Sequence, residues 1–156
     1  MTSNPLIKEK DYLLYLLSRQ EYSQFQLRQK LIKRANLAQD DIENLLDEFK
    51  EKGWQSDRRF AESFVRSQVA SHHGRYYIEQ KGIYKKGLDK TLLQQVIDDS
   101  DIDWQAQAYA CYQKKYGIAE LNGHDVKEKQ KRLQYLVRHG FDFDLAHKVL
   151  AKTDDI

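Results

Sequence analysis

The chain has 156 residues, 26 of them lysine or arginine and 24 aspartate or glutamate, for a formal net charge of +2, and it holds one cysteine and one proline. That length suits one ordinary domain or an array of small units, and the absence of any run of about 20 apolar residues excludes a transmembrane helix. The opening MTSNPLIKEKD lacks the basic-then-apolar layout of a signal peptide and Cys111 has no internal disulfide partner, so a cytoplasmic protein is expected.

Pro5 stands at the very start and the seven glycines sit where helices would stop, which predicts an all-helical fold. Residues 1–10 read as a tail. From Asp11, the positions Tyr12, Leu13, Tyr15, Leu16 and Leu17 predict a first helix ending near Arg19. Ser23 is a good N-cap for a second helix, with Phe25, Leu27, Leu31 and Ile32 on one side and a stop at Asn36 that brings Leu37 back onto Ile32. Asp40 and Asp41 open a third helix, where acidic residues suit the positive end of the dipole.

The third helix should end at Gly53, with Trp54 folding back onto Phe49 as an aromatic seal. Ser56 or Asp57 then caps a fourth helix whose apolar side starts with Phe60, Ala61, Phe64 and Val65, and which ends near His72-His73-Gly74. A fifth helix runs from about Arg75 and stops at Gly87, with Ile83 and Leu88 as its sealing pair and Gly82 as an interior weakness of about 1 kcal/mol relative to alanine. The sixth carries Leu92, Leu93, Val96 and Ile97. The seventh opens at Asp103-Trp104, turns Ala108, Tyr109, Tyr112 and Tyr116 inward and stops at Gly117, before a loop through Leu121-Asn122-Gly123. The eighth runs from about Asp125 to a stop at Gly140, sealed by Leu136 and Phe141, and the ninth spans about Asp144 to Ala151 with Leu145, Val149 and Leu150.

The stops at Asn36, Gly87 and Gly140 recur about every 50 residues, a period that marks an internal repeat. The expected architecture is three tandem three-helix repeats in an elongated, curved array, with repeat 1 over 11–55, repeat 2 over 56–100 and repeat 3 over 101–153. Units of that size bury too little alone, so neighbours should share apolar surface across the structural joints Phe49, Gly53, Trp54, Asp57, Phe60, Phe64, Gly87, Trp104, Gly140 and Phe141.

Charge follows the same period. Arg28, Lys33 and Arg34 lie on the second helix, Arg75, Lys81, Lys85 and Lys86 on the fifth, and Lys131, Arg132 and Arg138 on the eighth; each basic helix is followed by acidic residues. Aligned, these would form a strip able to contact phosphates in single- or double-stranded DNA without reading sequence, with Arg58 and Arg59 at the first joint as further contacts. The alternative is a set of solvated helix faces. Sequence-specific reading by a helix-turn-helix is disfavoured, because the third helix is densely acidic. His72, His73, His124, His139, His147 and Cys111 show no ligand spacing, no nucleophile motif or phosphate loop occurs, and neither catalysis nor a cofactor is expected.

The stretch GWQSDRRFAESFVRSQ, from Gly53 to Gln68, resembles the signature of the RecX family of bacterial recombination regulators. YLLYLLSRQEYSQFQLRQKLIKR near the start, DIDWQAQAYACYQKKYG from Asp101 to Gly117 and KRLQYLVRHGF from Lys131 to Phe141 agree with it. The resemblance implies a non-enzymatic modulator of the RecA recombinase, acting as a monomer in the groove of the RecA–DNA filament and inhibiting strand exchange and ATP hydrolysis. Around IEQKGIYKKG the sequence departs from the family pattern, with Glu79 at an apolar position and Gly82 beside it, so the middle repeat is expected to be irregular. From a different class comes a second reading: a protein-binding scaffold with no DNA contact.

Overall fold

A computed structural model describes residues 4–117, 121 and 125–154, and among them the chain is all-helical, with no strand. The helices are α1 (Pro5–Arg19), α2 (Gln24–Arg34), α3 (Gln39–Glu51), α4 (Asp57–Ala70), α5 (Arg75–Tyr84), α6 (Lys90–Asp99), α7 (Trp104–Tyr116), α8 (Val126–Arg138) and α9 (Phe143–Asp154). In chain order they group as three three-helix repeats. The loop expected at Asn122 and Gly123, and His124, lie outside the described residues.

Helix α1 starts at Pro5 rather than at Asp11. Asn4 accepts a hydrogen bond from the Leu6 N–H at 3.0 Å, and a proline in the first turn loses nothing by lacking an N–H there. The added turns carry Glu9 and Lys10 to the neighbouring helices. At α2 the Ser23 hydroxyl accepts from the Gln26 N–H at 3.2 Å while the Gln26 side chain accepts from the Ser23 N–H at 3.0 Å, a reciprocal cap. The helix ends one residue sooner than expected: Ala35 takes the left-handed conformation (φ 54°). Asn36 is placed instead to donate its amide to Glu9 at 3.0 Å, and Ile32 is 45% exposed, so no Ile32 seal forms.

Two glycine stops follow the sealing geometry closely. At Gly53 (φ 73°) the Trp54 N–H donates to the Phe49 carbonyl at 3.0 Å, and the two rings meet edge to face at 5.1 Å. At Gly140 (φ 99°) the Phe141 N–H donates to Leu136 at 3.2 Å. Helix α4 closes in the same way around a histidine, His72 (φ 62°), with the His73 N–H donating to Gln68 at 3.0 Å. Beyond Gly87 the Leu88 N–H reaches the Gly82 carbonyl at 3.0 Å, one residue further back than Ile83, so the middle repeat is irregular at this end. Trp54 is not buried: 37% of it remains exposed, because Lys10 and Lys52 rather than apolar side chains cover its outer face. Tyr109, expected inside, is 39% exposed.

The chain forms two compact units, one of residues 1–64 and 82–93, the other of 65–81 and 94–156. In the first, Leu13, Leu27, Leu31, Ile42, Leu45, Leu46 and Phe49 form the core. Phe60 and Phe64 are also buried and stack at 5.9 Å. Gly82 has a packing purpose there: a Cβ would stand 2.6 Å from Leu93 Cδ2 and 3.2 Å from the Phe64 ring. In the second, Ala108, Cys111, Tyr112, Leu133, Leu136, Phe141, Val149 and Leu150 are central, with Trp104 packed against them.

Within that second unit the α4–α5 turn meets the α8–α9 turn backbone to backbone. The Gly74 N–H donates to His139 at 2.7 Å and the Tyr76 N–H to Gly140 at 3.1 Å. A Cβ at Gly74 would overlap the Gly140 carbonyl, whereas one at Gly53 would meet nothing within 4 Å. Urea unfolding should therefore separate the two glycines. Gly53→Ala is expected to cost about 1–2 kcal/mol from backbone strain alone, and Gly74→Ala about 3 kcal/mol, because rigid backbone has to move.

Candidate nucleic-acid interface

The basic residues divide by chemistry. Arginines are drawn into carboxylate pairs, because a planar guanidinium donates two parallel hydrogen bonds that an ammonium cannot. In the first unit, Arg28 holds Glu43 through Nε at 2.7 Å and Nη2 at 3.0 Å, and this pairing keeps the Glu43 carboxyl below its usual range. Arg34 grips Glu9 in the same way at 2.7 and 3.0 Å and lies 3.8 Å over the Tyr12 ring. Arg59 reaches Glu21 at 3.1 Å, and Arg58 reaches Glu62 at 3.2 Å one turn along α4.

Glu9 is wholly buried, and the Arg34 hydrogen bonds, aided by Asn36, outweigh burial and lower its pKa. Of the two residues expected to cap α4, Ser56 does so and Asp57 serves another helix. The Ser56 hydroxyl accepts from the Arg59 N–H at 3.2 Å and so caps α4. Asp57 accepts from the Gln24 N–H at 2.9 Å, at the start of α2, and from the buried Gln55 amide at 2.9 Å. Nothing in local spacing announces that long-range tie.

In the second unit Arg75 bridges Glu79 and Asp98, each at 2.8 Å. Arg132, assigned above to the basic strip, belongs to the core. It is 4% exposed, donates to the Tyr112 hydroxyl at 2.6 Å and to Glu128 at 2.9 Å, and sits over the Tyr116 ring. Its position in a run of cations concealed this, because the run fixes the sign of the charge and not the side of the helix.

Lys10 and Lys52 also pair with a carboxylate, Glu48, at 2.8 and 2.9 Å, but the lysines of the expected strip behave differently. Lys33 on α2, Lys85 after α5, and Lys127 and Lys131 on α8 are exposed, as is Arg138, while Lys86 is half-buried and Lys81 lies 5.8 Å from the Tyr77 ring. A flexible stem and full hydration suit such groups to mobile phosphate contact. Among the described residues no three His, Cys, Asp or Glu side chains gather to hold a metal ion. Burial raises the Cys111 thiol above its usual range, which suits packing rather than nucleophilic chemistry. No helix among the described residues is long and apolar enough to cross a membrane.

Two family models match the chain: the one described as RecX, second three-helix domain, over residues 56–97, and the one described as RecX, third three-helix domain, over 101–150. Regulatory protein RecX of Haemophilus influenzae (strain ATCC 51907) is 37% identical over 135 residues, covering 86% of this chain and 87% of that protein. The protein of the same description from Neisseria gonorrhoeae (strain NCCP11945) is 36% identical over 140 residues, 90% of this chain and 87% of its own. The crystal structure of RecX from Lactobacillus salivarius superposes with a TM-score of 0.81 at 20% identity, covering 97% of this chain and 98% of that one, a likeness of fold.

Two outcomes are expected from these networks. Arg132→Ala should lose about 3 kcal/mol in urea unfolding by emptying a buried site and stranding the buried Tyr112 hydroxyl, whereas Lys131→Ala should stay within about 0.5 kcal/mol. Because the folded pKa of Glu9 is depressed, its contribution is present above the ordinary carboxylate range and fades as pH falls through the folded value. In a Glu9→Gln protein, stability should fall less steeply below about pH 5 than in the parent, as followed by circular dichroism.

Proposed function

Because the chain belongs to the RecX family of regulatory proteins, we propose that it regulates the RecA recombinase by binding the RecA–DNA filament and inhibiting strand exchange and ATP hydrolysis. In this reading it is a monomeric, non-enzymatic cytoplasmic protein, its repeats divided at 11–55, 56–100 and 101–153. Family membership carries the proposal. The division of the cations supports the DNA part: Lys33, Lys85, Lys131 and Arg138 stand exposed, a composition suited to phosphates and indifferent to base sequence. Arg28, Arg34, Arg58, Arg59, Arg75, Lys81 and Lys86 would flank that contact, several of them by exchanging an intrachain carboxylate for a phosphate. The acidic side of α3, with Asp47 exposed, is offered to basic surfaces of the recombinase.

A second reading, a protein-binding scaffold without DNA contact, is favoured by the intrachain pairing of Arg28, Arg34 and Arg75. Fluorescence anisotropy over a salt series separates the two. Single-stranded and duplex DNA should both bind at low salt, with affinity falling steeply as salt rises; no binding at low salt would select the scaffold. Replacing Lys85 and Lys86 together by glutamate should reduce the salt slope by about one to two and weaken inhibition of RecA ATP hydrolysis on single-stranded DNA. Undiminished inhibition would remove that surface from the proposal.

A further inference from the structure

The outer side of α8 and the start of α9 hold large apolar side chains in solvent: Val126 is 64% exposed, Val137 42% and Phe143 59%. They are not scattered. Val126, Gln130, Leu133 and Val137 recur at i, i+4, i+7 and i+11, one stripe of a helix. With Phe143 and His147 of α9 this stripe lines a groove of about 610 Å³. A neighbouring hollow of about 490 Å³ shares Val137 and Phe143 with it and continues to Trp104 and Tyr76. Contiguous apolar surface rimmed by polar groups is the mark of a contact site, in contrast to single exposed leucines.

The rim indicates what the site takes. Lys127, Lys131 and Arg138 run at i, i+4 and i+11 along one border of the stripe, all exposed, and Lys129 lines the other. None of the residues lining the larger groove is acidic. Glu128, the sole carboxylate of α8, is held at 2.9 Å by the buried Arg132. The floor of Val126, Leu133 and Val137 is aliphatic, which suits leucine-like side chains better than the stacked bases of a nucleic acid strand.

We propose that this groove docks an amphipathic helix of a protein partner, its apolar edge on Val126, Val137 and Phe143 and its flanking glutamates or aspartates on the lysine row. If the function proposed above holds, the recombinase supplies that helix, and only that identification of the partner rests on that reading. Such a helix lies antiparallel or parallel to α8 as another helix would in a groove, and the cations fix its charge.

The test uses the full chain and two synthetic helical peptides. Both carry leucines at i, i+4, i+7 and i+11; glutamates flank the stripe in one and lysines in the other. In fluorescence anisotropy the glutamate peptide should bind at least about tenfold more tightly than its lysine twin, and Val137→Glu and Lys131→Glu should each weaken it by about tenfold or more. Circular dichroism checks that Val137→Glu remains folded, and Phe143→Ser, at a largely exposed position, repeats the measurement should it not. Equal binding of the two peptides, or binding untouched by both apolar substitutions, overturns the site. So does a dimer in sedimentation that Val137→Glu dissociates, which makes the groove a self-contact, or an equal loss of affinity for single-stranded DNA, which makes it a nucleic-acid surface. A chain that binds the glutamate peptide but not the RecA filament keeps the docking site and refutes the recombinase reading.

Discussion

The structure depends on how its helices end. With helices of ten to fifteen residues, a large part of each is terminal turn, where carbonyls lack intrahelical partners. A left-handed residue resolves this by aiming the next N–H back at the helix, as at Gly53, His72 and Gly140. The closed turn is compact enough to be packed against. The Ser23 hydroxyl donates to the Lys86 carbonyl at the end of the fifth-helix segment, and the Gly74 and Tyr76 N–H groups donate to His139 and Gly140. Contacts between helix ends therefore help to fix which turn faces which, and the absence of a Cβ at Gly74 is what allows one such approach.

How much of this is legible without coordinates depends on whether the cause is local. The glycine stops at Gly53 and Gly140 and the caps at Ser23 and Asp103 can be read because a left-handed backbone and a capping oxygen act within a few residues. Ala35 and His72 adopt the same backbone conformation with side chains that do not advertise it. Gly82 reads as a propensity defect in isolation and as a necessity once Leu93 and Phe64 are seen against it. The start of α1 is hard to read because Pro5 lies so near the first residue that it resembles a breaker in a tail, when its place is in a first helical turn.

The candidate interface was legible in sign and not in detail. A row of cations along a helix announces positive charge, but a guanidinium and an ammonium have different uses once folded. Arg28, Arg34, Arg75 and Arg132 find rigid planar partners, and Arg132 does so inside the core. The partners of the first two come from distant positions: Glu9 pairs with Arg34 and Glu43 with Arg28, so no spacing rule could couple them. What remains on the outside is enriched in lysine, whose net attraction to polyanions is sensitive to salt and tolerant of geometry.

Helix α8 carries both proposed contact surfaces on one cylinder, and their separation is angular. Arg132 and Leu136 turn inward to the core, Val126, Gln130 and Val137 form an outer stripe, and Lys127, Lys131 and Arg138 run beside it. A polyanion engages the charged row whatever lies next to it, whereas an acidic helix needs row and stripe together. If both proposals hold, the two ligands would compete for the same lysines but differ in their demand for Val137. That asymmetry makes Val137, at the end of the stripe and shared by both hollows, the point where the proposed protein and phosphate contacts would be pulled apart, without disturbing the arginine network that holds the helix in place.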